Sequence, residues 1–425
     1  MPWDFHPPPS HRRYFSMKQT QTIALCGILA SCIVGPAQAQ GRFDIQLSGD
    51  AYFEMGLVSQ TNDRNLRSTE ARNRFRLTVV PLAKADNGLE YGANLRLRSA
   101  LGSRAIDIDR GYLFSSGSFG TVRLGVTPGF DGEISHLTNG TGRPIAYLPF
   151  GLYDHAAAWV GPAGGAQGTD PATGRYTGGD FRGGVGDALQ PPATLMWPWL
   201  NADAGATKIL YASPRFAGLQ VGGSYTPRND SSNTDISRVK TGSTPAAQFT
   251  GNFQDIVEVG ANYKATLGPV KATLSAAFMG GKATASGAAA DAFKDLRGYI
   301  GGFRFEYAGF SLGGDYLNYG KSGQNARYAY TDDTWTWQVG AQYVTGPYVL
   351  GAAYIRTEDP GQVTRPGKRT ADVYEVGAGY TVAPGLRAQL QYDYFDTRSD
   401  KAVTLASGSP DDRAHVLLAR TLVAF

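Results

Sequence analysis

Arg72-Asn73-Arg74-Phe75-Arg76-Leu77-Thr78-Val79 is the stretch from which the rest of the chain can be read. Phe75, Leu77 and Val79 fall on one face of an extended segment, and Arg72, Arg74, Arg76 and Thr78 fall on the other. A period of two belongs to a β-strand whose two sides meet different surroundings. The next segment repeats it, with Tyr91, Ala93, Leu95 and Leu97 opposing Glu90, Asn94, Arg96 and Arg98. Val257, Val259, Ala261 and Tyr263 likewise oppose Glu258, Asn262 and Lys264. Trp335, Trp337, Val339, Ala341 and Tyr343 oppose Thr334, Thr336, Gln338 and Gln342. Near the end, Leu386, Ala388, Leu390, Tyr392 and Tyr394 oppose Arg387, Gln389, Gln391 and Asp393.

A soluble sandwich would alternate as well, so the connections decide between the two. Short turns at 84–88, 115–118, 213–218, 268–269, 308–309, 346–347 and 383–385 alternate with polar loops. The loops run over 59–67, 101–103, 127–205, 228–254, 281–291, 321–331, 359–369 and 399–410, and only the second is short. A meander with one short rim and one long rim is the layout of an outer-membrane barrel. Counting segments predicts an all-β, antiparallel transmembrane barrel of about sixteen strands, beginning near Phe43 and ending at Phe425. Hydrocarbon offers no water to satisfy a free sheet edge, so the first and last strands must pair. A barrel of that size is wide enough for an aqueous channel.

Composition agrees. Of 425 residues 18% are charged, below the usual quarter, while 55 glycines and 23 tyrosines suit a turn-rich β chain. A mean hydropathy of −0.26 fits a soluble protein or a membrane barrel, because only alternate barrel residues meet lipid. Aromatics gather near segment ends: Tyr52 and Phe53, Phe303, Phe305 and Tyr307, Tyr343, Tyr348, Tyr392 and Tyr394. They read as girdles at the two membrane interfaces.

Residues 1–39 read as a removable secretory leader, and residues 40–425 as a single barrel domain. A positive start (Lys18), an apolar core from Ile23 to Val34 and the small-x-small site Ala37-Gln38-Ala39 are the parts of such a leader. The working start is then Met17, with residues 1–16 an upstream extension. Cys26 and Cys32, the only cysteines, lie within the leader, so the mature chain has neither disulfides nor a reactive thiol. Leu29-Ala30-Ser31-Cys32 offers a competing lipoprotein box, against which stands the apolar and small sequence that continues to Ala39. The leader holds Arg12, Arg13 and Lys18 against Asp4, so a net charge of +4 falls to about +2 on cleavage. Nothing in so balanced a chain points to nucleic acid.

The alternation breaks at 127–205, directly after the short strand segment 119–126. This insertion is rich in Gly and Pro and carries Asp131, Glu133, Asp154, Asp170, Asp180 and Asp187. A structureless loop of this length inside a compact domain is commonly functional. Its expected place is inside the barrel, narrowing the bore.

With these elements in hand, the chain resembles the Gram-negative general porin family, of the alphaproteobacterial type, over nearly all of its mature length. The resemblance is carried by Glu70-Ala71-Arg72-Asn73-Arg74-Phe75, Asn87-Gly88-Leu89 and Phe119-Gly120-Thr121-Val122-Arg123-Leu124-Gly125. Tyr211-Ala212-Ser213-Pro214-Arg215-Phe216-Ala217-Gly218-Leu219 and the terminal Phe425 complete it. It implies sixteen strands, a third loop folded into the pore, and a homotrimer. It also implies that the face Leu417, Ala419, Thr421, Val423 and Phe425 is read by the outer-membrane assembly machinery. The third loop is unusually long for the family and leaves room for an extra strand pair or short helix near 194–200.

The resemblance further implies a charged waist, with one basic wall facing an acidic loop. The inward register offers Arg72, Arg74, Arg76, Arg96, Arg98 and Arg123 for the wall, and Asp131, Glu133 and Asp154 are the acids sought on the loop. Arginine stays charged among like charges. A row of like charges is not what stability alone would select.

The implied function is a water-filled outer-membrane channel for passive diffusion of small hydrophilic solutes and ions. A solute-specific channel, for sugars for example, is the alternative, and an outer-membrane hydrolase the third reading. No Ser/His pairing supports the hydrolase. Lumen lysines are few (Lys264, Lys271), which speaks against phosphate selectivity. No cofactor is expected. Calcium at the loop acids is an accessory alternative without regular ligand spacing, and His136, His155 and His415 are isolated.

Overall fold

The computed structural model describes residues 43–61, 67–99, 105–133, 159, 199–229, 253–283, 293–324, 328–362, 365–399 and 411–425. Residues 1–42, with Cys26 and Cys32, and most of the insertion 127–205 lie outside these residues.

Sixteen strands follow one another: β1 (Asp44–Gln60), β2 (Thr69–Lys84), β3 (Glu90–Ser99), β4 (Ile106–Gly117) and β5 (Gly120–Val126). A one-turn helix, Phe130–Glu133, precedes β6 (Thr207–Ala212), β7 (Leu219–Arg228), β8 (Phe253–Leu267), β9 (Val270–Ala283) and β10 (Leu296–Tyr307). The chain continues with β11 (Phe310–Gly320), β12 (Thr334–Thr345), β13 (Tyr348–Gln362), β14 (Arg365–Ala383), β15 (Leu386–Ser399) and β16 (Asp412–Ala424). Each strand pairs antiparallel with its neighbours in sequence, and β1 closes on β16 from Asp50↔Ala424 to Gln60↔Ala414. The expected closed sixteen-stranded barrel is therefore present. No edge strand is left to a medium that could not hydrogen-bond it.

The two faces separate as the alternation requires. On β1, Phe53, Met55 and Leu57 are more than half exposed on the outer wall, while Tyr52 and Glu54 are 6% and 0% exposed on the inner one. On β15, Leu390 and Tyr392 face out, whereas Gln389, Gln391 and Asp393 are buried inside. No helix among the described residues is long and apolar enough to cross a membrane.

One rim is made of tight turns. Between β10 and β11, Ala308 and Gly309 both take positive φ (46° and 84°), the type I′ geometry whose twist matches the flanking strands. The opposite rim differs from expectation at one place. The loop expected over 359–369 is largely a continuation of the β13–β14 hairpin, which pairs as far as Gln362↔Arg365. A bidentate pair closes it, with Arg369 Nε and Nη2 donating to Asp359 at 2.7 and 2.6 Å. Polar composition reads as loop, but complementary charges placed opposite each other extend a ladder instead.

The girdle reading is corrected at Tyr52. That ring turns inward among arginines, whereas Phe53, Phe305, Tyr307, Tyr348 and Tyr392 are exposed outside. Outward aromatics pair across strands, Phe310 stacking on Tyr343 at 4.1 Å and Tyr348 lying 5.1 Å from Tyr380.

Candidate pore constriction

Four consecutive strands bring charge to one arc of the inner wall. Residues directly opposed in the ladder share a face, so Asp50 stands across from Arg76, Tyr52 from Arg74 and Glu54 from Arg72. On the next pair, Arg76 stands across from Arg98 and Thr78 from Arg96. Arg420 of β16 completes the arc by facing Glu54 from the other side. The structure thus brings Arg72, Arg74, Arg76, Arg96 and Arg98 into one basic ladder. Arg123 lies two strands further round, with its guanidinium 5.0 Å from the ring of Tyr112.

Within the ladder, each guanidinium except that of Arg76 is anchored within hydrogen-bonding range of a strand-borne group. Arg72 Nε donates to Glu54 Oε1 at 2.7 Å, and Arg420 donates to Glu54 Oε2 at 3.0 and 2.6 Å. Arg74 Nη2 reaches Asp50 Oδ1 at 2.5 Å. Arg96 grips both oxygens of Asp109, each at 2.7 Å, and Arg98 binds Asp107 at 3.1 and 2.8 Å. Tyr52 lies under two guanidiniums, 4.9 Å from that of Arg74 and 4.0 Å from that of Arg420. Its inward turn gives a polarisable face to crowded cations.

The Arg96–Asp109 pair depends on an irregularity. Arg96 opposes Arg110 but Leu97 opposes Ile108, so Asp109 is the extra residue of a β-bulge on β4. Bulges re-aim a side chain without breaking the strand. Here the bulge leaves Asp109 free to meet Arg96 while Ile106 and Ile108 stay exposed on the outer wall.

The partners of the ladder are therefore Asp50, Glu54, Asp107 and Asp109, which sequence reading did not single out. Their signal was present, since Asp50, Tyr52 and Glu54, and then Asp107 and Asp109, alternate with apolar neighbours. Of the loop acids proposed instead, Asp154 lies outside the described residues, as does the side chain of Glu133. Asp131 is 2% exposed. Its backbone N–H donates to Glu258 Oε1 at 2.5 Å and its carboxylate accepts from Leu200 N at 2.9 Å.

Those bonds belong to a clamp that fixes both ends of the insertion against the inner wall of β6 to β11. Lys208, fully buried, donates to the carbonyls of Thr127 and Asp203 at 2.7 and 2.6 Å and lies 3.2 Å from the Asp203 carboxylate. Thr226 Oγ1 donates to that carboxylate at 2.5 Å, and Asn201 N donates to Tyr319 Oη at 2.9 Å. Leu200 packs among Phe253, Ile256, Met279, Leu296, Ile300 and Leu317 of the wall. Half the ring away, Trp159 of the same insertion meets β1 and β2. Its indole N–H donates to Glu54 Oε1 at 3.1 Å, and Arg72 lies 5.4 Å from its ring.

His415 faces outward, its Nδ1 2.7 Å from Tyr392 Oη; His136 and His155 are outside the described residues. Among the described residues no group of three His, Cys, Asp or Glu side chains is set to hold a metal.

The sequence profile described as Gram-negative porin matches residues 23–400. Uncharacterised proteins of Rickettsia conorii and Rickettsia prowazekii are each 22% identical to this chain. The first aligns over 92% of this chain and 94% of its own length, the second over 90% and 92%. Among solved structures, two mutants of Rh. blastica porin are similar at 14% and 15% identity. They cover 90% of this chain and 100% of their own, with TM-scores of 0.49 and 0.48. Family and fold point to a channel and not to an enzyme. With a profile that spans most of its length and a closed barrel of sixteen antiparallel strands, the chain belongs to the Gram-negative porin family, as a channel protein of the outer membrane.

Proposed function

We propose that this porin passes small hydrophilic solutes and ions by passive diffusion, through a bore narrowed between the arginine ladder of β2 and β3 and the insertion 127–205. The observation that carries the reading is the position of Trp159 against Arg72 and Glu54, while both ends of its insertion are bound half the ring away. Those described parts of the insertion stand at opposite sides of the inner wall, which supports a constriction between them. Solutes then pass beside a wall whose guanidiniums outnumber their carboxylates. Arg72, Arg74, Arg76, Arg96, Arg98 and Arg420 face Asp50, Glu54, Asp107 and Asp109, so the local field favours anions and aligns dipolar solutes. Residues 1–39 act in this reading as the secretory leader. Three copies associate, as in the general porins that the sequence resembles.

Purified protein in a planar bilayer tests the channel. Stepwise, ohmic conductance is expected, and Arg74→Gln with Arg76→Gln should move the reversal potential toward cations. An unmoved potential removes these two residues from the constriction. Saturation of the current by one sugar would replace free diffusion with a solute-specific channel. Cross-linking in detergent gives the copy number, and anything but a trimer ends that part of the proposal.

A further inference from the structure

Lys264 and Lys271 are lumen lysines for which the arginine ladder does not account. Lys264 alternates with Glu258 and Asn262 on the inner face of β8, and its row runs through Thr273 of β9 to Arg304 of β10. Lys271 stands one row nearer the tight turns, between Thr266 and Glu306. Arg215 reaches into the same corner from the turn between β6 and β7, where Ala217 and Gly218 take positive φ (47° and 89°). Its guanidinium donates to Gly218 O at 2.5 Å, to Gln220 Oε1 at 2.9 Å and to Asn262 Oδ1 at 2.5 Å, all of them neutral acceptors. Glu306 is the carboxylate of this corner, and Arg304 Nη2 holds it at 2.6 Å. Among the described residues Arg215, Lys264 and Lys271 form no ion pair, and all three are exposed.

Across the same rim the balance is opposite. Asp44 begins β1 in register with Leu82, Asp86 lies in the turn between β2 and β3, and Lys84 is neutralised by Glu90 at 3.0 Å. Deeper in the bore the signs exchange sides. The arginine excess lies there on β2 and β3, while Asp131, Asp203 and Glu258 gather round Lys208 on β6 to β8. Clustered charge of one sign on a low-dielectric wall raises the local concentration of the opposite ion. That influence reaches about 30 Å in 0.01 M salt and about 3 Å in 1 M. We infer that Arg215, Lys264 and Lys271 form a second charge station at the tight-turn mouth, the periplasmic one in outer-membrane barrels, and that it makes the ion preference of the pore depend on the side of entry. The mouth and the waist lie on opposite arcs and at different depths, so their charges can be altered separately.

The inference rests on the channel reading, and the test separates the two. Single channels of the intact protein are recorded in a planar bilayer under a potassium chloride gradient, with about 0.01 M on the dilute side, where the mouth charges reach furthest. The gradient is then reversed on the same channel, so the orientation of insertion does not matter. In the wild type the anion-to-cation permeability ratios should differ about twofold or more between the two directions. Lys264→Gln with Lys271→Gln should bring the two ratios together; both side chains are exposed, so the change tests charge and leaves packing alone. Arg74→Gln with Arg76→Gln should lower both ratios and leave them apart. Absence of any conductance in the wild type would defeat the channel itself. Normal conductance with equal ratios would overturn the mouth station alone, as would a difference that survives in the lysine variant. A difference that closes in the arginine variant instead would assign the asymmetry to the waist and overturn it too.

Discussion

The six-membered ring of Trp159 occupies the space in which a side chain on Gly56 would stand. The contact joins the long insertion to the inner face of β1, two residues from the Glu54 that accepts the indole N–H. A glycine in a strand interior commonly marks such a close approach. Replacing Gly56 by leucine should expel the ring and forfeit a cation–π contact and a hydrogen bond, together about 1–2 kcal/mol. Barrel strands pair as before, so heat resistance in detergent should hardly change while single-channel current becomes larger and noisier. Traces indistinguishable from wild type would mean that Trp159 does not restrain the insertion.

Glu54 serves two arginines at once, Arg72 from β2 and Arg420 from β16. Because it is fully buried, Glu54→Gln strands two guanidiniums at the seam where the barrel closes. The loss of one partner in a buried pair costs about 3–5 kcal/mol. A clear fall in the unfolding temperature is expected, together with stronger anion preference in whatever protein folds. Retention of wild-type stability would show that the seam does not depend on this carboxylate.

Lys208 and Lys282 offer a matched comparison. Lys208→Met leaves Asp203, 1% exposed, without its cation and loosens the base of the insertion. About 3–5 kcal/mol of destabilisation is expected, read by heat or denaturant unfolding. Lys282 pairs with Asp295 at 2.7 Å, but its side chain is 68% exposed. Lys282→Met should therefore cost no more than about 1 kcal/mol. Equal effects at the two positions would contradict the buried clamp.

Ionic strength provides a test without mutation. The Debye length shrinks from about 10 Å at 0.1 M salt to about 3 Å at 1 M. If the ladder sets ion preference through its field, selectivity should weaken steeply over that range while conductance keeps rising. Selectivity independent of salt would point to a steric filter.

Much of this architecture was legible before any coordinates. The two-residue period of 72–79 and of four later segments placed the correct side chains on the outer and inner walls. The rhythm of short and long connections led to sixteen strands. At the site, the arginines were legible because they share the inward register. Their carboxylate partners were sought on the insertion, although Asp50, Glu54 and Asp107 stand in equally plain alternation. The 359–369 segment was misread because polar residues suit a loop and a charge-zipped hairpin alike.

Local alternation is a property of each strand alone, so the chain by itself determined the barrel, its lipid and water faces and the arc of arginines. Which charges meet depends on register, and register is set by pairing between segments far apart in the chain, 366 residues in the case of Arg420 and Glu54. Only the tertiary structure could therefore decide that Asp109 turns at a bulge to hold Arg96. The same is true of Glu54 serving both sides of the closing seam, and of Arg76 standing across from Arg98 with its Asp50 partner at 3.8 Å, past hydrogen-bonding distance. Electrostatic partnership falls off over a few ångströms, and distances of that scale exist only once the sheet has closed on itself.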